Sequence, residues 1–240
     1  MTATEWDASR DPRPMLRALV EPPARKLRLF ARACVARIDH LVTDPRSRAA
    51  LDFVDKYFGA PINKQKGRTK VRKAAKDAWT EAYNEMFHYP DERSARCIVR
   101  SCAADSVSAL FHTASEFAAR YASSFACYAV AWGLHADAGL GARGSTITDD
   151  EQAGEFAAQA DLLRCVFANP FREVRFAPEW RTDTAVALAK HAEATNDFSA
   201  MPILADALQD AGCESEEVLL HCRAGCAHAR GCWVCDAVLL

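Results

Sequence analysis

The sequence predicts an all-α protein, an irregular helical bundle or array of about nine to eleven helices. Three observations carry this. Apolar residues recur at spacings of three and four along nearly the whole chain. Helix start and stop signals fall at the ends of those stripes. The one alternating stretch, Phe171 to Phe176, could be an extended segment but is too short for a sheet of its own.

Pro14 to Val20 reads as a short helix with proline in its first turn. From Ala24 to Val42 the residues Leu27, Phe30, Cys34, Ile38 and Leu41 form one stripe. Asp44-Pro45 restarts a helix, with Asp44 as N-cap and Ala50, Phe53, Val54 and Tyr57 facing inward. Gly59-Ala60-Pro61 ends it. Lys64 to Phe87 is helical and basic in its first half. Ser94 to about Leu134 is alanine-rich and helical, with a candidate split near Asp105-Ser106. Its small residues permit close packing, which places it at the centre of the bundle.

Glycines 139, 141 and 144 mark 139–147 as a candidate linker between an N-terminal part (1–138) and a C-terminal module (148–240). Both could equally form one continuous domain. Thr148 with Glu151 reads as a capping box opening a helix that Asn169-Pro170 stops. Short helices follow over about 179–194, 201–211, 215–223 and 232–240.

Composition narrows the function classes. A net charge of -2 supplies no global field toward nucleic acid or an anionic membrane. The N-terminus lacks the basic and apolar regions of a signal peptide. The longest apolar stretch, Tyr121 to Leu134, is broken by Ser123 and Ser124 and is too short to span a bilayer. Ten cysteines without a secretory signal point to free thiols in a reducing compartment, so the expected location is the cytoplasm. Carboxylate pairs, a phosphate loop, a nucleophile elbow and the H-E-x-x-H signature are all missing.

Chemistry concentrates at the C-terminal end. His221 to Cys235 holds four thiols and two imidazoles in fifteen positions. As a zinc site the ligands would be drawn from Cys222, Cys226, His228, Cys232 and Cys235, with His221 as an alternate. The Cys232-x2-Cys235 spacing is ordinary. The five residues between Cys226 and Cys232 are too few for the usual finger or ribbon. The plainer reading packs Cys222 and Cys232 into the core, and a nucleophilic cysteine lacks supporting context.

A second candidate is the basic stripe Lys64, Lys66, Arg68, Lys70, Arg72, Lys73 and Lys76, followed on the same helix by Trp79 and Tyr83. It could bind phosphates and stack bases, although a solvated helix face is the plainer reading. A third is His112, Glu116 and Arg120, spaced to share one helical face.

The segments Asn169-Pro170-Phe171-Arg172, Pro202 to Cys213, His221-Cys222-Arg223, His228, Arg230-Gly231-Cys232-Trp233 and Asp236 resemble the closing module of a family of bacterial proteins found mainly in planctomycetes. Asp11 to Leu16 and Arg25 to Ala31 are similar to the start of the same proteins. The likeness covers about half the chain and implies no activity. It implies that His221, Arg223, His228, Arg230, Gly231, Cys232, Trp233 and Asp236 belong to a shared motif, and that positions 226 and 235 are not cysteine there. That weakens a shared metal site and favours an architectural motif. In it Gly231 ends a tight loop, Trp233 anchors the core, Asp236 pairs with Arg223 or Arg230, and His221 and His228 cap the loop.

The expected function is a non-enzymatic helical module for protein interaction or scaffolding, with a protein partner, no membrane and no required cofactor. The alternative is a zinc- or nucleic-acid-binding regulatory module, which would use the terminal cluster or the basic stripe.

Overall fold

The computed structural model describes every residue except 58, 59, 61–63 and 226. Among the described residues it holds twelve α-helices and no strand. The all-α expectation therefore holds, and the 171–176 stretch is irregular.

The first helix, α1 (Ala3–Ala8), was not expected from the sequence. Six residues show too little periodicity. It forms because Thr2 and Glu5 make a reciprocal capping box and Trp6 is fully buried. Helix α2 (Pro12–Ala18) starts before Pro14, since the Asp11 carboxylate accepts from the Arg13 amide and Pro12 takes the first position. Helix α3 (Ala24–Arg37) stops short of Val42. The backbone leaves the α region at Ile38 and makes one 3₁₀ turn over Asp39–Leu41. Helix α4 (Pro45–Lys56) opens on Asp44, as its Asp-Pro pair predicts. Its expected stop falls on Gly59 and Pro61, which lie outside the described residues.

Helix α5 (Arg68–Glu85) begins after Gly67, whose φ of +86° sets the chain direction. Lys64 and Lys66 therefore precede the helix. Helices α6 (Glu92–Ala109) and α7 (Ser115–Asp137) divide at residues 110–114, and Asp105-Ser106 is internal to α6. The Ser106 hydroxyl donates to the Ala122 carbonyl of α7 at 2.9 Å, inside the helix pair. Buried Ala103, Ala119, Ala122, Ala126 and Ala129 let α7 pack closely against α6 and α3. That puts the alanine-rich pair at the centre, as expected.

Residues 139–147 carry no helix. The loop is held to the start of α6, where the Ala142 amide donates to the Ser94 hydroxyl at 2.8 Å, and to the 3₁₀ turn Met86–His88, where Arg143 donates to the Phe87 carbonyl at 2.6 Å. Helix α8 (Asp149–Phe167) opens on the Thr148/Glu151 capping box and packs on α2, α3 and α7. Then come α9 (Asp183–Thr195), α10 (Met201–Asp210), α11 (Glu216–Arg223) and α12 (Trp233–Leu239).

The buried apolar residues form two clusters. One spans α1 to α8 and takes in Ala229 of the C-terminal loop; the other runs from Cys165 through Val238. They meet along α8, where Leu162 and Leu163 belong to the first and Cys165 to the second.

Candidate metal centre

Four side chains converge where the last turn of α8 meets the C-terminal closure: Cys165, His221, His228 and Cys232. Their ligand atoms all lie within 4.8 Å of one another. Cys165 comes from α8 and His221 from the last turn of α11. His228 sits on the following loop, and Cys232 is the residue from which α12 starts.

The separations have the right size for one ion. His221 Nε2 lies 3.2 Å from Cys232 Sγ. His228 Nδ1 lies 3.7 Å from Cys165 Sγ and 4.0 Å from Cys232 Sγ. Bonds of about 2.3 Å to sulfur and about 2.0–2.1 Å to nitrogen, at tetrahedral angles, place ligand atoms roughly 3.3–3.8 Å apart. These four residues could hold a metal ion.

Cys232 is the centre of the arrangement. It is fully buried, which by itself raises a thiol. Hydrogen bonds from Cys165, Cys235, His221 and His228 outweigh burial and hold it well below the usual thiol range. Cys235 moves the opposite way, raised by its hydrogen bond to Cys232 and by burial. Its sulfur also lies 3.8 Å from Met201 Sδ.

The site has a route to solvent. Cys165, His221 and Trp233 line a cleft of 590 Å³ with Arg164, Asn169 and Glu217. His228 borders a second cleft of 310 Å³ near Asn196 and Arg230.

Of the ligands the spacing suggested, His228 and Cys232 are in the group. Cys222 and Cys235 are buried but are not among the four, and Cys226 lies outside the described residues. Cys165 escaped sequence reasoning. It sits 63 positions before His228, inside an apolar helical stripe where a cysteine looks like a small core residue.

The rest of the terminal motif surrounds the site. Gly231 has φ +83°, and its amide donates to Glu193 Oε1 at 2.8 Å. Trp233 is buried with its ring 5.3 Å from that of His221. Asp236 pairs with neither Arg223 nor Arg230. It binds Arg25 at 2.9 Å and Lys26 at 3.6 Å, because α3 passes the start of α12. Arg223 instead donates to Asp206 at 2.8 Å and to Gln209 at 2.7 Å. Arg230 donates to the Ala194 carbonyl at 3.0 Å.

The basic stripe is mostly exposed. Arg68 is the exception, half-buried against the Phe111 ring at 5.2 Å. Lys73 pairs with Asp77 at 2.7 Å. The expected aromatics of the same helix, Trp79 and Tyr83, stack on each other at 6.3 Å. The His112, Glu116, Arg120 row does not form one helical face, because His112 lies in the turn before α7. Its Nδ1 accepts from the Ala114 amide at 3.2 Å.

No family model, curated protein or solved structure matches the chain. No helix among the described residues is long and apolar enough to cross a membrane.

Proposed function

We propose that this chain is a helical binding module whose C-terminal closure is stapled by one zinc ion held by Cys165, His221, His228 and Cys232. The observation that carries the reading is the mutual approach of four donor atoms, all within 4.8 Å of one another, with separations that include 3.2, 3.7 and 4.0 Å. Two sulfurs and two nitrogens at these spacings favour zinc over oxygen-seeking ions. Two thiolates also cancel the charge of a divalent cation, so the loaded site is neutral and suited to burial. Four protein ligands leave no open position, which gives the ion a structural role. The module then acts through its surfaces, as a non-enzymatic interaction protein.

The ligand set overlaps the motif that the planctomycete-type resemblance implies. His221, His228 and Cys232 are three of the motif residues, while Cys235, a thiol outside the motif, is not a ligand in this reading. Cys34, Cys97, Cys102, Cys127, Cys213, Cys232 and Cys235 are free thiols, which fits a reducing compartment such as the cytoplasm.

Metal analysis of the purified full-length protein tests the reading. One zinc per chain is expected, lost in Cys165→Ser and in Cys232→Ser and kept in Cys235→Ser. A metal-free protein, or full zinc content in Cys165→Ser, would overturn it.

A further inference from the structure

We infer that the surface around the turn at 110–114, reached by side chains of α3 and α5 and followed by α7, binds single-stranded nucleic acid, with Arg28, Arg68 and Arg72 holding phosphates and Phe117 and Tyr121 stacking bases.

The turn at 110–114 brings these groups together. Arg28 of α3 donates to the His112 carbonyl at 3.2 Å and to the Thr113 carbonyl at 2.7 Å. Arg68 of α5 donates to the Phe111 carbonyl. Both guanidinium groups are therefore fixed by backbone carbonyls rather than by carboxylates. Burial lowers both Arg28 and Arg68, and the charges that act further on Arg68 are those of Arg28 and Arg72. Arg72 and Lys70 are exposed and make no ion pair among the described residues; in the stripe Lys73 alone makes one. The result is a local positive field that the net charge of -2 hides.

An aromatic ladder starts at the same turn. The His112 ring lies 5.1 Å from Phe117. Phe117 stacks on Tyr121 at 5.9 Å and 16°, and Tyr121 on Phe125 at 6.1 Å and 19°. Phe117 and Tyr121 are each 45 % exposed. Aromatic residues at steps of four along α7 hold these rings nearly parallel and half-exposed. Arg120 adds another exposed cation on this helix, and Glu116 an exposed anion.

Fixed cations without carboxylate partners call for a polyanion. Half-exposed aromatic rings on the same surface call for planar rings on that polyanion. A single strand supplies both at once. A duplex hides its base faces, and an acidic peptide would leave the ladder without a partner. The Trp79 and Tyr83 rings of α5 are not the stacking platform, since they lie toward the opposite end of that helix from Arg68 and Arg72.

The test is fluorescence anisotropy of the full-length protein with labelled thymidine and uridine 15-mers and a hairpin duplex, at about 50 and about 200 mM salt. Binding to one or both single strands is expected, at least tenfold tighter than to the duplex, and weakening as salt rises. Phe117→Ala with Tyr121→Ala should weaken it about tenfold or more, as the loss of stacking predicts. Tyr121→Leu keeps an apolar helix face and should weaken it in the same direction. Lys70→Glu with Arg72→Glu should weaken binding and flatten its salt dependence. Tyr83→Ala should leave it unchanged. Several results would overturn the inference: no binding at the lower salt, equal affinity for duplex, or full affinity in either the stacking or the charge variant. Thermal melting of each variant separates lost binding from lost folding. Comparing the thymidine and uridine strands identifies DNA or RNA as the preferred source.

Discussion

The protein buries cysteines in two places, and the two behave in opposite ways. In the body, Cys34 of α3 and Cys127 of α7 are fully buried in the alanine-rich core. Burial raises both thiols, and the Glu155 charge raises them further. On α6, Cys102 is pushed up to about 12 by burial and then by Asp105. At the closure, Cys232 is buried as deeply but is held low by four hydrogen-bonding neighbours. Depth does not separate the two groups; the number of converging polar atoms does. A thiol surrounded by methyl groups is core filler, and a thiol surrounded by imidazoles and sulfurs is a candidate ligand.

The largest effect expected from this contrast comes from removing the ion. Chelation of the purified protein, or Cys232→Ser, should lower stability by on the order of 3–5 kcal/mol, comparable with loss of a cross-link. Cys34→Ser should keep its zinc and its chelator-sensitive melting. Thermal melts with and without chelator would read this out, and equal chelator sensitivity lost in both variants would erase the distinction between body and closure.

A smaller effect is expected at Gly231, which shapes the loop between His228 and α12. A Cβ there would lie 2.4 Å from Leu29 Cδ1, on a residue with φ +83°. Gly231→Ala should cost about 1–3 kcal/mol and reduce zinc occupancy, because it strains the backbone beside Cys232. Unchanged occupancy together with an unchanged melting temperature would show that the loop tolerates both strains.

The smallest effect tests the body. Asp105 is raised to about 6 by burial, partly offset by Lys76. A carboxyl with a raised folded value binds more protons folded than unfolded, so stability falls as pH rises through the window from about 4 to about 6. The penalty is fully present at neutral pH. Asp105→Asn should therefore stabilise the protein at pH 7 by up to about 1–2 kcal/mol, after allowance for its partial exposure, and change little at pH 4. Equal effects at both pH values would mean that Asp105 acts by packing and not by charge.

The fold was legible because helices carry their own periodicity and punctuation. Asp44-Pro45 and Thr148 with Glu151 open α4 and α8 through local hydrogen bonds that a few neighbouring residues determine. Shorter signals were less legible. α1 rests on a capping box and one buried tryptophan within six residues, and the end of α3 depends on the turn at Ile38 rather than on the apolar stripe, which continues past it. The candidate site was half legible. His228 and Cys232 stand out by density in the sequence, and His221 stood beside them as an alternate. Cys165 is marked only by tertiary contact, and Asp236 found its partners on α3 for the same reason. Local spacing could not choose among nearby thiols, because the choice depends on which helix packs against the closure.

The position of Cys165 has one more consequence. An ion bridging it to His228 closes a loop of 63 positions and ties the end of α8 to the C-terminal segment. Unlike a disulfide, this link needs no oxidant and dissolves when the metal is withdrawn. It is therefore compatible with a reducing compartment and answers to metal supply. With zinc present the last third of the chain is clamped at both ends. If the site holds an ion, its withdrawal releases the tie between α8 and the C-terminal segment, and the entropy of the 63-position loop returns.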